Sequence, residues 1–333
     1  MKRREFILAL GGAAAASASW PLAARAQQGG RMRRVGVVIV PAENQPVARQ
    51  YVSALRKGLA ELGWIEGSNI RIDYRFGAGN PDRAVAAAKD LVAISPDVIM
   101  VQGTPGTAAL KQATKTIPVV FTTVTDPVGA GFVESIARPG GNITGFSTFD
   151  PEIGGKWLQL LKEISPGLRQ VAGIVDLPFA AFTKLWRATE SVAPSMNLAT
   201  TTINFHRRSD DLESAIASFA NRSEGALVVL PTAINNVDRS RIFSLATRHR
   251  LPAIYGFTHY TAAGGLMTYG LDNLRAFTSG LAYVDRILKG TKPADLPVQA
   301  PTKFELVINL KTAKKIGLDV APSLLARADE VIE

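Results

Sequence analysis

Residues Val98–Phe132 read VIMVQGTPGTAALKQATKTIPVVFTTVTDPVGAGF, and this stretch decides the fold class. It contains two apolar strands, Val98–Val101 and Val119–Thr123, and each is followed at once by a short loop of small and polar residues. The first loop, Gln102–Thr107, leads into a helix. In an open parallel α/β sheet, such loops lie at the carboxyl ends of the strands, where ligands bind. The stretch therefore predicts a doubly wound sheet with a ligand site at that edge.

The same alternation of strand and helix continues along the chain in both directions. Val35–Val40 is a continuous apolar run, as expected for a parallel strand that is covered on both faces. The alternation resumes after the turn cluster Arg138–Asn142, with strands that end before Asp176, before Pro231-Thr232 and at Tyr255. Both halves therefore carry the pattern of doubly wound α/β units.

Local signals predict several element boundaries. We expect Asp82 to cap a helix and Asp272 to act as a helix cap more readily than as a ligand contact. We also expect a short helix after Phe132, one long helix with the apolar stripe Leu274–Leu288, and a last helix from Ser323.

Length and composition favour two lobes. The chain has 333 residues, of which 47% are hydrophobic, and this exceeds what one core of usual size contains. The turn cluster interrupts the pattern and predicts the crossing between lobes. The first lobe is expected to comprise residues 33–145 with about 270–300, and the second 146–269 with about 301–333. The absence of cysteine excludes disulfides, thiolate metal sites and a lipoprotein anchor.

The first 26 residues are typical of an export signal. Lys2-Arg3-Arg4 forms a basic start, Phe6–Ala18 is apolar, and Ala24-Arg25-Ala26 fits a cleavage site near Ala26. We therefore expect a periplasmic protein. The paired arginines resemble a twin-arginine signal, and an ordinary secretory signal remains the alternative.

Catalytic and cofactor motifs are missing from the sequence. His206, His249 and His259 lack metal-ligand spacing, and no H-E-x-x-H, G-x-S-x-G or phosphate-loop motif occurs. We expect no enzyme activity, no metal and no cofactor. The net charge of +10 and the arginine clusters Arg33-Arg34 and Arg207-Arg208 invite a nucleic-acid interpretation, but in an exported protein salt bridges or a partner surface fit better.

Five blocks of the sequence resemble a known family: Leu59–Trp64, Thr125–Gly131, Ala137–Asn142, Gly264–Met267 and Ile287–Ala313. The chain resembles the substrate-binding proteins of ABC importers, in the group that includes tryptophan and tyrosine transport components. The resemblance implies a type I periplasmic-binding-protein fold, in which two α/β lobes with parallel-sheet cores are joined by three crossings and close on a hinge over a small molecule. It also implies a monomer that delivers its ligand to an ABC permease in the inner membrane, with no nucleic-acid partner.

Nine residues at strand ends are the candidate ligand contacts, and each has a structural alternative. The loop after Val101 could receive a carboxylate or could be a plain turn with a threonine cap. Asp126 could bind an ammonium group or brace its Asp-Pro turn, and Tyr255 could stack on a ligand or pack in the core. The complete set is Gly103, Thr104, Thr107, Thr125, Asp126, Ser147, Asp176, Thr232 and Tyr255.

These expectations converge on the periplasmic component of an ABC importer that binds an amino acid or a related carboxylate between two lobes. Two other functions stay open at the level of sequence. One is an exported α/β enzyme that uses the same cleft, and the other is a ligand-sensing receptor for a signalling protein.

Overall fold

The computed structural model of the protein describes residues 31–77, 80–149, 152–207, 211–221 and 224–333. The predicted export signal, Arg208 and part of the Gly77–Gly79 loop lie outside these ranges. The described chain contains two sheets, and the helices that pack on each sheet make it one lobe.

The first sheet is entirely parallel, with its five strands in the order β2-β1-β3-β4-β5. The long first strand lies between two others, as its continuous apolar run predicts. The strands are β1 (Arg33–Ile39), β2 (Ile70–Phe76), β3 (Val98–Gln102), β4 (Val119–Val124) and β5 (Ile143–Ser147).

The second sheet has seven strands in the order β12-β11-β10-β9-β8-β6-β7, and only the β10–β11 pair is antiparallel. Its strands are β6 (Gln170–Val175), β7 (Ala199–Asn204), β8 (Gly225–Val229), β9 (Ala253–Phe257), β10 (Met267–Leu271), β11 (Glu305–Asn309) and β12 (Glu330–Ile332).

Helices cover both faces of each sheet. In chain order they are α1 (Pro46–Glu61), α2 (Pro81–Ala93), α3 (Thr104–Ala113), α4 (Ile153–Ile164), α5 (Ala180–Val192), α6 (Leu212–Ala220), α7 (Ala233–Val237), α8 (Arg239–Arg248), α9 (Thr258–Ala262), α10 (Asn273–Thr278), α11 (Leu281–Leu288), α12 (Leu310–Ile316) and α13 (Pro322–Leu325). Short 3₁₀ turns occur at Ala193–Met196 and Pro293–Asp295. Within the described part of the chain, no helix is both long and apolar enough to span a membrane.

The first lobe is assembled from two separate parts of the chain. Phe277, Leu281 and Val284 of α10 and α11 are buried in the same cluster as Val37 of β1 and Leu55 of α1. The chain therefore leaves the first sheet after β5, builds most of the second, returns through α10 and α11, and crosses again to β11. Two doubly wound lobes with largely parallel sheets confirm the predicted fold class.

Helix caps show one prediction confirmed and one wrong. The carboxylate of Asp272 accepts the N–H of Arg275 at 2.7 Å and caps α10, as expected. Asp82 is not the cap of α2, because the side chain of Asn80 accepts the N–H groups of Asp82 and Arg83. Pro81 occupies the first helical position, so the capping residue has to precede it.

Two other local predictions were wrong and one was confirmed. Residues 125–142 form turns and bends, with no helix after Phe132. The predicted long helix through Leu274–Leu288 is two helices, broken at Ser279-Gly280, where a Cβ on Gly280 would lie 2.7 Å from the Cγ2 atom of Thr122. The last helix, predicted from Ser323, is α13, Pro322–Leu325, and the strand β12, which was not predicted, follows it and pairs with β11.

Candidate ligand-binding site

The carboxyl edge of the first sheet brings three candidate loops together. Strands β3, β4 and β5 are neighbours, so the residues that follow them lie side by side. The N–H of Gly103 donates to the carbonyl of Thr122 at 2.8 Å and anchors the first loop to β4. Gly103 has a φ of 82°, a left-handed conformation that suits glycine and lets the chain turn directly from β3 into α3.

The start of α3 presents polar groups toward this edge. The first N–H groups of a helix have no carbonyl partner inside the helix, and here Thr104 and Gly106 supply them because Pro105 has none. The half-buried hydroxyl of Thr104 makes no hydrogen bond with any described residue. By contrast, Thr107 is fully buried and its hydroxyl donates to the carbonyl of Gly103 at 2.9 Å.

The loops after β4 and β5 have their polar groups largely engaged. The hydroxyls of Thr125 and Thr148 lie 2.7 Å apart, and both the N–H and the hydroxyl of Ser147 donate to the carbonyl of Gln299. Ser147 therefore fixes the point at which the last crossing passes the first sheet.

Asp126 makes contacts of both kinds that its sequence context suggests. One carboxylate oxygen accepts the N–H of Gly129 at 3.0 Å and braces the turn, in which Asp126 itself has a φ of 50°. The other oxygen lies 2.9 Å from the ammonium nitrogen of Lys184, on α5 of the second lobe. The carboxylate thus joins the carboxyl edges of the two sheets.

The second sheet contributes Asp176 and Thr232 after β6 and β8. Asp176 is 3% exposed, and its carboxylate lies 2.7 Å from Nδ1 of His206. Thr232 is buried and caps α7 by accepting the N–H of Asn235 at 3.2 Å. The side-chain amide of Asn235 donates to the carbonyls of Ile174 and Leu230, so the ends of β6 and β8 are tied together.

Tyr255 lies inside the core of the second lobe. Its ring is 1% exposed and packs edge-on against Phe243 and stacked on Tyr260. Strand β9 continues through Gly256 to Phe257 because Gly256 and Gly270 approach so closely that a Cβ on Gly270 would meet the carbonyl of Gly256. The strand therefore ends two residues later than predicted, and α9 begins directly after it at Thr258.

His259, the second residue of α9, is a polar group near this edge that is not among the predicted contacts. Its Nε2 lies 3.0 Å from the amide oxygen of Asn236, and its Nδ1 lies 3.4 Å from the amide nitrogen of Asn273. Burial lowers the pKa of His259 to about 4, with a further lowering from Arg239 that Asp272 opposes. The imidazole is thus neutral at pH 7, donating from Nε2–H to Asn236 and accepting at Nδ1 from Asn273.

Of the polar residues missed at this edge, His259 has a sequence signal, and Asn236 and Lys184 do not. The rule that polar residues follow strand ends would have found His259 had β9 been extended to Phe257, whereas Asn236 lies inside α7. Lys184 carries no such signal, because it lies in the middle of a helix and meets Asp126 only through the arrangement of the two lobes. Among the described residues, no group of three or more His, Asp or Glu side chains could hold a metal ion.

A family model described as ABC transporter substrate binding protein matches residues 35–332. The chain belongs to this family, which confirms the resemblance read from its sequence blocks.

Three individual proteins are similar to this chain over most of its length. A tyrosine-binding protein of Clostridioides difficile (strain R20291) is 27% identical over 263 residues, covering 79% of this chain and 75% of that protein. A solved conserved domain protein of Vibrio cholerae is 31% identical with a TM-score of 0.80, covering 90% of this chain and all of that one. The solved ABC domain of Streptococcus pneumoniae in complex with L-Trp is 25% identical with a TM-score of 0.81, covering 90% and 99%.

Proposed function

We propose that the protein is the periplasmic substrate-binding component of an ABC importer and that it binds an amino acid or a related carboxylate between its two lobes. The observation that carries the proposal is the start of α3, where the Thr104 hydroxyl and adjacent N–H groups have no partner among the described residues. Such a helix start accepts a carboxylate, because its N–H groups and dipole favour negative charge.

The relatives support an amino acid as the ligand class. One relative is a tyrosine-binding protein, and another was solved in complex with L-Trp. The relatives are substrate-binding proteins rather than enzymes, and this favours a receptor that releases its ligand unchanged.

The proposed contacts draw on both lobes. At the carboxyl edge of the first sheet we propose Gly103, Thr104, Thr125, Asp126 and Ser147, at that of the second sheet Asp176, Asn236 and His259, and on α10 Asn273. Thr107, Thr232 and Tyr255 are left out, since their side chains are buried and the two threonine side chains serve their own helices. Closure of the lobes about the crossings joins the two groups of contacts around the ligand, and the closed form presents both lobes to the permease. We assign residues 33–145 with about 270–300 to the first lobe and the remaining mature chain to the second.

Thermal unfolding of the purified protein against the twenty amino acids, aromatic acids and sugars tests this function. A specific amino acid at 100 times its dissociation constant should raise the free energy of unfolding by about 2.7 kcal/mol. The matching amine without a carboxylate should give no shift, since it lacks the group that α3 binds.

Each other result contradicts a defined part of the proposal. Equal stabilisation by the amine and the amino acid would remove α3 from the site. Stabilisation by sugars alone would overturn the ligand class, and chemical conversion of the bound compound, detected by mass spectrometry, would overturn the receptor role.

A further inference from the structure

A groove of about 860 Å³ lies outside the cleft, along the outer edge of the first sheet between β2 and α1. Its floor is apolar and aromatic, and the residues that form it are Ala48, Val52, Ile72, Tyr74 and Phe76. The volume is within the range of sites that bind ligands, yet the groove is open along its length. This shape suits an extended chain better than an enclosed small molecule.

The backbone of β2 is unpaired on the groove side. β2 is the edge strand of its sheet and pairs only with β1. From Arg71 to Phe76, the outer edge forms no backbone–backbone hydrogen bond with any described residue, and the carbonyl of Tyr74 accepts one from Nη1 of Arg75 at 2.9 Å. Six residues of strand span roughly 20 Å, enough for a short segment to add itself as a further strand.

Arginines form the rim of the groove, and two of them have no ion-pair partner among the described residues. Arg56 pairs with Glu66 at 2.6 Å and lies over the ring of Tyr74, and Arg75 pairs with Asp90. Arg49 and Arg83 are exposed and form no ion pair or hydrogen bond through their side chains with described residues.

The acidic groups of the groove do not balance these two arginines. The carboxylate of Asp73 is taken by Arg34 at 2.7 Å, and this pairing lowers the pKa of Asp73. Glu43, at one end of the groove, is the lining carboxylate that has no ion pair among the described residues. The free charge of the rim is therefore positive.

We propose that this groove binds an extended acidic segment of a partner protein, which pairs with the free edge of β2. Alternate side chains of the segment lie on the floor around Val52 and Tyr74, and its carboxylates pair with Arg49 and Arg83. The charge of the rim selects for acidity, and the unpaired edge selects for an extended backbone.

The charge of the rim disfavours a second copy of this chain as the occupant. Two copies paired through β2 would bring Arg49 and Arg83 of one rim toward those of the other, and pairing about Asp73 would also place Arg71 opposite Arg75 and Asp73 opposite Asp73. Like charges directly opposite one another destabilise a strand pair. An acidic partner meets no such repulsion.

A labelled peptide of about eight residues that alternates glutamate and valine is the probe, measured by fluorescence anisotropy with the full chain. We expect binding, with slower hydrogen exchange of the amides of Arg71–Phe76. The double variant Arg49→Gln/Arg83→Gln should raise the dissociation constant by about tenfold or more. Arg138→Gln, which removes another exposed arginine of the first lobe, should change it by less than about twofold. The same peptide N-methylated at alternate residues should fail to bind, because it cannot pair with a strand.

Several outcomes would overturn the proposal. Equal binding of the peptide by the double variant, unchanged exchange at Arg71–Phe76 or full binding of the N-methylated peptide would each exclude strand addition by an acidic segment. Binding to vesicles of anionic lipid without binding to the peptide would identify a membrane surface instead. Self-association in sedimentation that the double variant abolishes would identify a second copy. Binding of the cleft ligand by the double variant, unchanged from the natural protein, shows that the variant is folded and separates this test from that of the transport role.

Discussion

The polar groups at the carboxyl edges of the two sheets differ in whether they have hydrogen-bond partners. At the first, Thr104 and the start of α3 keep polar groups without partners in the described chain. At the second, the side chains of Asp176 and His206 and those of His259 and Asn236 bind each other, and the Thr232 hydroxyl accepts the backbone N–H of Asn235. A group without a partner can bind a ligand at little cost, whereas a paired group must exchange one hydrogen bond for another.

This difference suggests that the two lobes contribute differently to ligand binding. The first edge is suited to a charged head group that many ligands share, because backbone N–H groups do not read side chains. The second edge holds a fixed network of side chains, so a ligand whose groups fail to match leaves a buried polar atom unpaired. Selectivity is therefore expected to reside in the second lobe and affinity for the head group in the first.

Lowering the pH should give the largest difference between the two lobes, because all three histidines belong to the second lobe. The folded-state pKa of His259, about 4, lies below its ordinary value of 6.5. Between pH 6.5 and about 4, His259 is protonated in the unfolded chain but not in the folded chain. Its contribution to the free energy of unfolding is therefore complete above pH 6.5 and is lost as the pH falls toward 4. The loss is at most about 3 kcal/mol.

Urea unfolding at pH 7 and at pH 4.5 measures this effect. The variant His259→Asn should lose less stability between these two pH values than the natural protein, and His249→Asn, at the distant end of α8, should behave like the natural protein. An equal loss of stability in all three proteins would show that protonation of His259 does not cause the destabilisation at low pH.

Removal of the unpaired hydroxyl is the next largest test. Thr104→Val keeps the shape of the side chain and should weaken ligand binding by about tenfold, because one hydrogen bond to a charged group is lost. Thermal stability without ligand should stay the same, since the hydroxyl has no partner in the described chain. Thr116→Val, at the opposite end of the α3 segment, is the matched control in calorimetry. Unchanged affinity in Thr104→Val would place the head group elsewhere.

The ion pair between the two edges should give the smallest effect. Lys184 and Asp126 are 59% and 20% exposed, so their pair is screened by solvent and contributes about 0.5–1 kcal/mol. Lys184→Met should weaken ligand binding about two- to fivefold, Asp126→Asn, which also removes a proposed ligand contact, should weaken it more, and the two effects should not be additive in the double variant. Asp126→Asn keeps an acceptor for the N–H of Gly129, so the turn is retained. Additive effects would mean that the pair does not hold the lobes together.

Sequence reasoning predicted the fold where the signal is local. The strands Val98–Val101 and Val119–Thr123 were each placed to within one residue, because both are short apolar runs bounded by turn residues. The cap at Asp272 was predicted from its position before a helix. The break at Gly280 was not, because it depends on how closely the helix approaches Thr122 on another element.

The candidate site was harder to predict for the same reason. Strand β9 ends two residues later than predicted, so Tyr255 was chosen as a candidate contact in place of His259. The close approach of Gly256 and Gly270, which extends β9, is a contact between strands. Strand β12 is three residues long and pairs with a strand about twenty residues upstream, so its own sequence has almost no periodicity to detect. What the sequence lacks in each case is the position of a neighbour distant along the chain.

The return of the chain to the first lobe also constrains how the protein folds. Trp64, just after α1, donates its indole N–H to Asp285 of α11 at 2.8 Å, across 221 residues of sequence. Phe277 and Leu281 fill the same cluster as the strands at the beginning of the chain. During synthesis, the first lobe therefore cannot complete its core when its own sheet has been translated, and its apolar face stays uncovered until α10 and α11 emerge, after most of the second lobe.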